Sequence, residues 1–196
     1  MTFFKEVGRP FLVMVILVGV VFILKSPIFT WITPPTHIPD EYYIDLDDAD
    51  FTEYGLVTKV SDGDTFTLNE TQEVRMLGMD TPELAHPEFY IKEECFGKDA
   101  KARLEQLILN RYVLLLKDKQ DKDKYERSLR FVFLPDKYDA QKKMLVNAYM
   151  IGEGFARAYI FEQDEKYKDL INSLQRKAVK ERRGLWGKCD REKFRW

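Results

Sequence analysis

Histidine and cysteine are nearly missing from this chain of 196 residues: His37, His86, Cys95 and Cys189 are all it has. Neither histidine sits at ligand spacing from a cysteine, which argues against the usual thiolate and imidazole zinc sites. An excess of basic charge is missing too, since 31 Lys and Arg face 33 Asp and Glu for a formal charge of −2. That balance disfavours a protein that coats nucleic acid through an overall positive field, while an enzyme needing only local cations stays open. Internal repeats and low-complexity tracts are also lacking. One folded domain with appendages is the default for this length, and 45% apolar content suffices for its core.

One long hydrophobic run is present, Phe11 to Leu24, preceded by Lys5 and Arg9. It is shorter than the roughly 20 residues a spanning helix takes. No small-x-small cleavage site follows it; Lys25, Ser26 and Pro27 do, and then Ile28 to Ile32, with Trp31 suited to the headgroup level. Residues 1–33 are therefore expected to anchor the chain in a membrane as an uncleaved signal anchor, ahead of a cleaved signal peptide and of a buried helix. Positive charge before the run keeps the amino terminus cytoplasmic and puts the rest of the chain outside, or in the medium if the segment is cleaved. Residues 34–53, with Pro34, Pro35 and seven acids between Asp40 and Glu53, read as an acidic linker. Outside the cytoplasm Cys95 and Cys189, which flank the first and last helices of the folded region, could form a disulfide; two free thiols are the alternative.

From Tyr54 the pattern changes to short β-rich runs at 56–60, 65–68 and 74–79, separated by turns with Gly, Asp and Asn. Three consecutive strands predict a meander. Over 98–110 the period becomes helical, with Ala100, Leu104, Leu107 and Ile108 on one face. Strands return at 112–116 and 129–134, then a short helix over 144–153 and a last one over about 165–183. That last helix has an apolar stripe of Tyr167, Leu170, Ile171, Leu174 and Ala178. Its basic residues, Arg176, Lys177, Lys180, Arg182 and Arg183, read first as a solvated face and second as a phosphate attractor. Five strands with a helix after the third predict an α+β fold: a five-stranded OB-type β-barrel with about three helices over 54–188, and a tail at 189–196.

Three acidic turns carry the chemistry. Asp80-Thr81-Pro82-Glu83 ends the third strand, Asp62-Gly63-Asp64 precedes the second, and Asp123-Lys124-Tyr125-Glu126-Arg127 precedes the fifth. Hard carboxylate oxygens can hold a divalent cation, and arginines can grip a phosphate in forked geometry, so together they suit phosphoryl transfer. Arg75 and Asp80 are an odd number of residues apart and would lie on opposite faces of a regular strand. If both serve one site the chain must bend between them, and Gly78 is where the bend is expected.

Asp-Gly-Asp-Thr, then Arg followed by Asp-Thr-Pro-Glu, then Asp-Lys-Tyr-x-Arg, in this order, resembles the staphylococcal nuclease (thermonuclease) family. The likeness continues through Phe96 to Ala100, Val146-Asn147 and Gly184-Leu185-Trp186. It implies an OB-type barrel and a nuclease acting on DNA and RNA with little sequence preference, leaving 3′-phosphates. Ca2+ is the implied cofactor, held by the Asp64 and Asp80 side chains and the Thr81 carbonyl, with Asp62 behind them. Glu83 maps onto the glutamate that activates or orients the attacking water, and Arg75 and Arg127 onto the phosphate-clamping pair. Lys124 and Tyr125 match contacts to a neighbouring phosphate, and Tyr159 an aromatic near the bound base. Two positions depart from the pattern: Glu126 replaces the usual glycine, and Phe161 replaces a tyrosine. A noncatalytic nucleic-acid- or protein-binding module of the same fold is the alternative, although a pure binder has no need of the acids, the glutamate and both arginines together. His86 reads as a surface residue.

Overall fold

The computed structural model describes residues 38–190 apart from 86, 88, 89, 91, 138, 140 and 161–165. The expected anchor at 1–33, the first residues of the expected linker, His86, Phe161 and the tail beyond Asp190 lie outside the described residues. Among those described, no helix is long and apolar enough to cross a membrane.

The elements run β1 (Tyr43–Asp45), β2 (Glu53–Val60), β3 (Thr65–Leu68), β4 (Gln72–Met76), β5 (Met79–Asp80), α1 (Gly97–Ile108), β6 (Tyr112–Leu116) and β7 (Ser128–Pro135). Then come β8 (Lys142–Leu145), α2 (Val146–Gly152), β9 (Arg157–Ala158), α3 (Lys168–Glu181) and α4 (Leu185–Lys188). β2, β3 and β4 form the antiparallel meander. β4 pairs in parallel with β7, β7 antiparallel with β6, and β6 antiparallel with β2. The pairings thus leave β2 through β3 and return to it through β6, while β8 and β1 extend outward from β7. Strands and helices are mixed, and the class is α+β.

Alternation explains the meander: Val57, Phe66, Leu68, Val74 and Met76 are all buried. The predicted stripe of α1 (Ala100, Leu104, Leu107 and Ile108) is its buried face. β7 is buried along nearly its whole length, because β6, β4 and β8 flank it and α2 packs over it. Asn147 at the start of α2 is fully buried, and its side chain accepts from the Val132 N–H and donates to the Leu77 carbonyl, both at 2.8 Å. Asn147→Ala would leave two buried backbone groups unpaired, and we expect a loss of about 2–5 kcal/mol in urea unfolding.

Two expectations need correction. The acidic segment is not a solvated linker from Ile38 onward. Tyr42 is fully buried, with its ring edge-on to Tyr149 at 5.3 Å and its hydroxyl donating to Glu153 at 2.6 Å, and β1 adds to the sheet beside β8. Acidic composition hid this, because the cations that receive the acids lie far along the chain: Glu41 pairs with Lys177 at 2.7 Å, Asp48 with Lys143 at 3.3 Å, and Glu53 with Arg130. The half-exposed Glu41–Lys177 pair contributes little, and the buried tyrosine holds the segment down. For the same reason Lys177 and Arg183 of the basic run are engaged with Glu41, Glu153 and Glu181. The short helix expected from Met144 starts at Val146, since 142–145 form β8.

Candidate active site

β4 ends at Met76, and the chain leaves the sheet through Leu77 and Gly78, the latter at φ +73°. A Cβ at Gly78 would stand 2.6 Å from Ile171 Cδ1, so both conformation and space require glycine there. The bend brings Asp80 back to Arg75, whose Nη2 lies 2.7 Å from Asp80 Oδ1. The other guanidinium nitrogen pairs with Asp64. Asp64 Oδ2 accepts both the N–H and the hydroxyl of Thr81 at 2.9 Å, which locks the two acidic turns together. Asp62 Oδ1 caps the Asp64 N–H at 2.9 Å.

The third turn is organised by Asp123. One carboxylate oxygen accepts the N–H groups of Tyr125 and Arg127 at 2.9 and 3.0 Å, and the other accepts Arg127 Nε at 2.7 Å. Burial pushes the Asp123 carboxyl up, but these hydrogen bonds win and hold it below the ordinary aspartate range. Its contribution to stability is therefore present above the ordinary aspartate pKa and lost as pH falls through its depressed one. Arg127 lies over the Tyr125 ring at 5.4 Å, and Lys124 at 4.9 Å.

These turns face one cleft of about 650 Å³. It brings together nine of the ten residues expected at the site: Asp62, Asp64, Arg75, Asp80, Glu83, Lys124, Tyr125, Arg127 and Tyr159. Thr81 stands behind, bonded to Asp64. Asp123, read from sequence only as part of the third acidic turn, also lines it, as do Gln120 and Arg157, which had no role from sequence. Arg157 is held opposite Asp80 by the β5–β9 pairing and donates to Asp80 Oδ2 through Nε at 3.0 Å and Nη2 at 2.5 Å. Its only signal in sequence was a lone arginine in the apolar stretch before Tyr159. Cys95 and Cys189 are joined as a disulfide.

Glu126, where glycine is usual, adopts φ +66° and turns outward to Lys122 at 3.1 Å. A left-handed glutamate carries a steric cost that glycine lacks. Glu126→Gly is expected to raise stability by about 1 kcal/mol and to lower KM for a polyanionic substrate, read by thermal melting and steady-state kinetics.

A family model described as Staphylococcal nuclease homologue matches residues 73–188. The chain belongs to this family. It is 34% identical to a thermonuclease of Staphylococcus intermedius over 134 residues, 67% of this chain and 74% of that protein. It is also 34% identical to a thermonuclease of Staphylococcus hyicus, over 66% of this chain and 73% of that one. A third relative is the SPbeta prophage-derived endonuclease YokF of Bacillus subtilis, 33% identical over 65% of this chain and 42% of that one.

Desolvation in the cleft raises the Glu83 carboxyl, and nearby Asp62 and Asp80 raise it further. Burial likewise raises Asp62, against the pull of Arg75. Burial lowers the Arg75 guanidinium, while Asp80 and Asp62 pull it back up. Among the described residues, no group of three or more His, Cys, Asp or Glu side chains is gathered into a metal cage. The donor chemistry nevertheless fits a hard cation: Asp64 and Asp80 are all-oxygen donors, and the Arg75 guanidinium already places positive charge between them.

Proposed function

We propose that this chain is a nuclease that hydrolyses phosphodiester bonds of DNA and RNA with little sequence preference, leaves 3′-phosphates and uses Ca2+. The carrying observation is the convergence of Glu83, Arg75, Arg127 and the acidic pair Asp64 and Asp80 in one cleft. The family membership supports the reaction class, and the circuit of pairings from β2 through β3, β4, β7 and β6 supports reading the scaffold as an OB-type barrel.

Hydrolysis needs neutralised phosphate oxygens, an aligned water and help for the leaving oxygen. Asp64, Asp80 and the Thr81 carbonyl are the residues that would hold Ca2+, which supplies positive charge beside the scissile phosphate. Arg75 and Arg127 offer two forks of donors that strengthen as charge builds on the nonbridging oxygens. The raised Glu83 carboxyl suits a group that takes or orients a water proton. Lys124 and Tyr125 meet the next phosphate, and Tyr159, 45% exposed, offers a stacking face for a base. Asp123 holds the Lys124–Arg127 turn in place.

End-group analysis tests this reading. Single-stranded DNA and RNA digested by the chain with Ca2+ are expected to yield fragments ending in 3′-phosphate, whose 3′ ends join a 5′-phosphorylated adapter only after a phosphatase has freed the 3′-hydroxyl; fragments with 5′-phosphate would refute the assignment. We further propose that residues 1–33 anchor the chain with this domain on the extracytoplasmic side, a reading supported by a disulfide that an oxidising compartment would preserve. Protease added to intact cells is expected to remove the domain.

A further inference from the structure

Glu83 follows Pro82, which has no N–H, and lies beyond the end of β5 at Asp80. Its backbone is held across the loop: its N–H donates to Glu94 Oε2 at 3.0 Å, and its carbonyl accepts the Glu94 N–H at 2.9 Å. Gly97, at the start of α1, presses on the same point. A Cβ there would stand 2.7 Å from the Glu83 carbonyl oxygen and 3.0 Å from that of Pro82. The Gly97 N–H in turn donates to the Glu94 carbonyl at 3.2 Å.

Between Glu94 and Gly97 the chain is fixed from the far end of the domain. Cys95 is disulfide-bonded to Cys189, 94 residues later, just past α4. Lys188 of α4 lies over the Phe96 ring at 5.2 Å, and that ring stacks on Phe155 at 5.4 Å. Phe96 itself is held at φ +79°. The disulfide therefore anchors the residue next to the one that grips Glu83.

We propose that Glu94 is the positioning residue for Glu83, and that the Cys95–Cys189 disulfide keeps Glu94 in place, so that the cleft works at full rate only in the oxidised protein. This rests on the nuclease reading. Reduction by a dithiol breaks the S–S bond: two electrons and two protons pass to the sulfurs, giving two thiols, and the reductant becomes its own disulfide. Cys95 is then tied only through its neighbours, Glu94 loses its anchor, and Glu83 is held less tightly. A displacement near 1 Å of a catalytic group costs up to about 100-fold in rate.

The test uses the full chain, oxidised, reduced with dithiothreitol, and as Cys95→Ser/Cys189→Ser, with thiols counted and the temperature held well below every melting point. Single-stranded DNA cleavage is expected to show kcat about 10-fold or more lower in the reduced protein and the double variant, with KM within about 2-fold. Glu94→Ala should fall as far, while Glu94→Gln, which keeps an oxygen acceptor for the Glu83 N–H, should stay within about 3-fold. Equal kcat in oxidised and reduced protein would overturn the proposal. Amide hydrogen exchange at Glu83 is read in the same samples and does not depend on cleavage. It should quicken on reduction and in Glu94→Ala, and an unchanged rate would overturn the positioning role whether or not the oxidised chain cuts nucleic acid.

Discussion

Glu83→Gln is expected to lower kcat for single-stranded DNA by about 10²- to 10⁴-fold, the range that general acid–base catalysis contributes, with little change in KM. Glutamine keeps the shape and a hydrogen-bonding oxygen but cannot take a proton. The same change should leave the fold more stable at neutral pH. The folded-state pKa of Glu83 is raised, by desolvation first and then by Asp62 and Asp80. An acid raised in this way contributes stability that is present below its unfolded pKa and lost as pH rises through the folded value. As pH rises the wild-type chain loses that contribution, and Glu83→Gln has nothing to lose. Urea unfolding of the two proteins at pH 7 and pH 4 should show the variant ahead at pH 7 and the gap narrowing toward pH 4. A variant that loses both activity and neutral-pH stability would point instead to a structural role for the carboxylate.

Arg75→Lys is expected to cost about 10²- to 10³-fold in kcat, or about 3 to 4 kcal/mol of transition-state stabilisation, the scale of a lost oxyanion donor. Lysine preserves the charge but not the fork. In the structure one guanidinium nitrogen meets Asp64 and the other meets Asp80, a bridge that a single ammonium cannot reproduce. Arg127→Lys should fall similarly in rate and also loosen its turn, since Arg127 Nε is the donor to Asp123 at 2.7 Å. Both variants should lower kcat and melting temperature, read by paired kinetics and thermal melts: Arg127→Lys loses its hydrogen bond to Asp123, and Arg75→Lys breaks a buried bridge between two carboxylates. Rates within threefold of wild type for both lysine variants would remove the phosphate clamp from the account.

Much of the sheet and nearly all of the cleft could be read before the structure. The alternation around Val57, Phe66 and Val74 fixes which face of the meander is buried, and the helical spacing of Ala100, Leu104 and Ile108 fixes α1. The odd separation of Arg75 and Asp80 demanded a bend, and Gly78 at φ +73° provides it. The structure's additions come from partners far apart in sequence. Arg157 reaches Asp80 across 77 residues through a two-residue ladder, too short to leave a periodic signal. β8 carries Lys142 and Lys143, and charge at these positions masked a strand whose Lys143 is buried beneath the acidic segment that it pairs with. That segment looked like a tether because its seven acids outweigh the one buried aromatic, Tyr42, that docks it.

The fold also sets where the chain can be shortened for study: starting after Tyr42 would remove a fully buried ring and β1, so a fragment should begin no later than Ile38. With the protein kept intact through that segment, the most direct measurement is cleavage of single-stranded DNA across a Ca2+ titration, beside chelator and Glu83→Gln controls. Cleavage that rises with Ca2+, stops in chelator and collapses in the variant is the predicted result. DNA that binds but stays uncut at every Ca2+ concentration would contradict it, and would make the cleft a recognition surface.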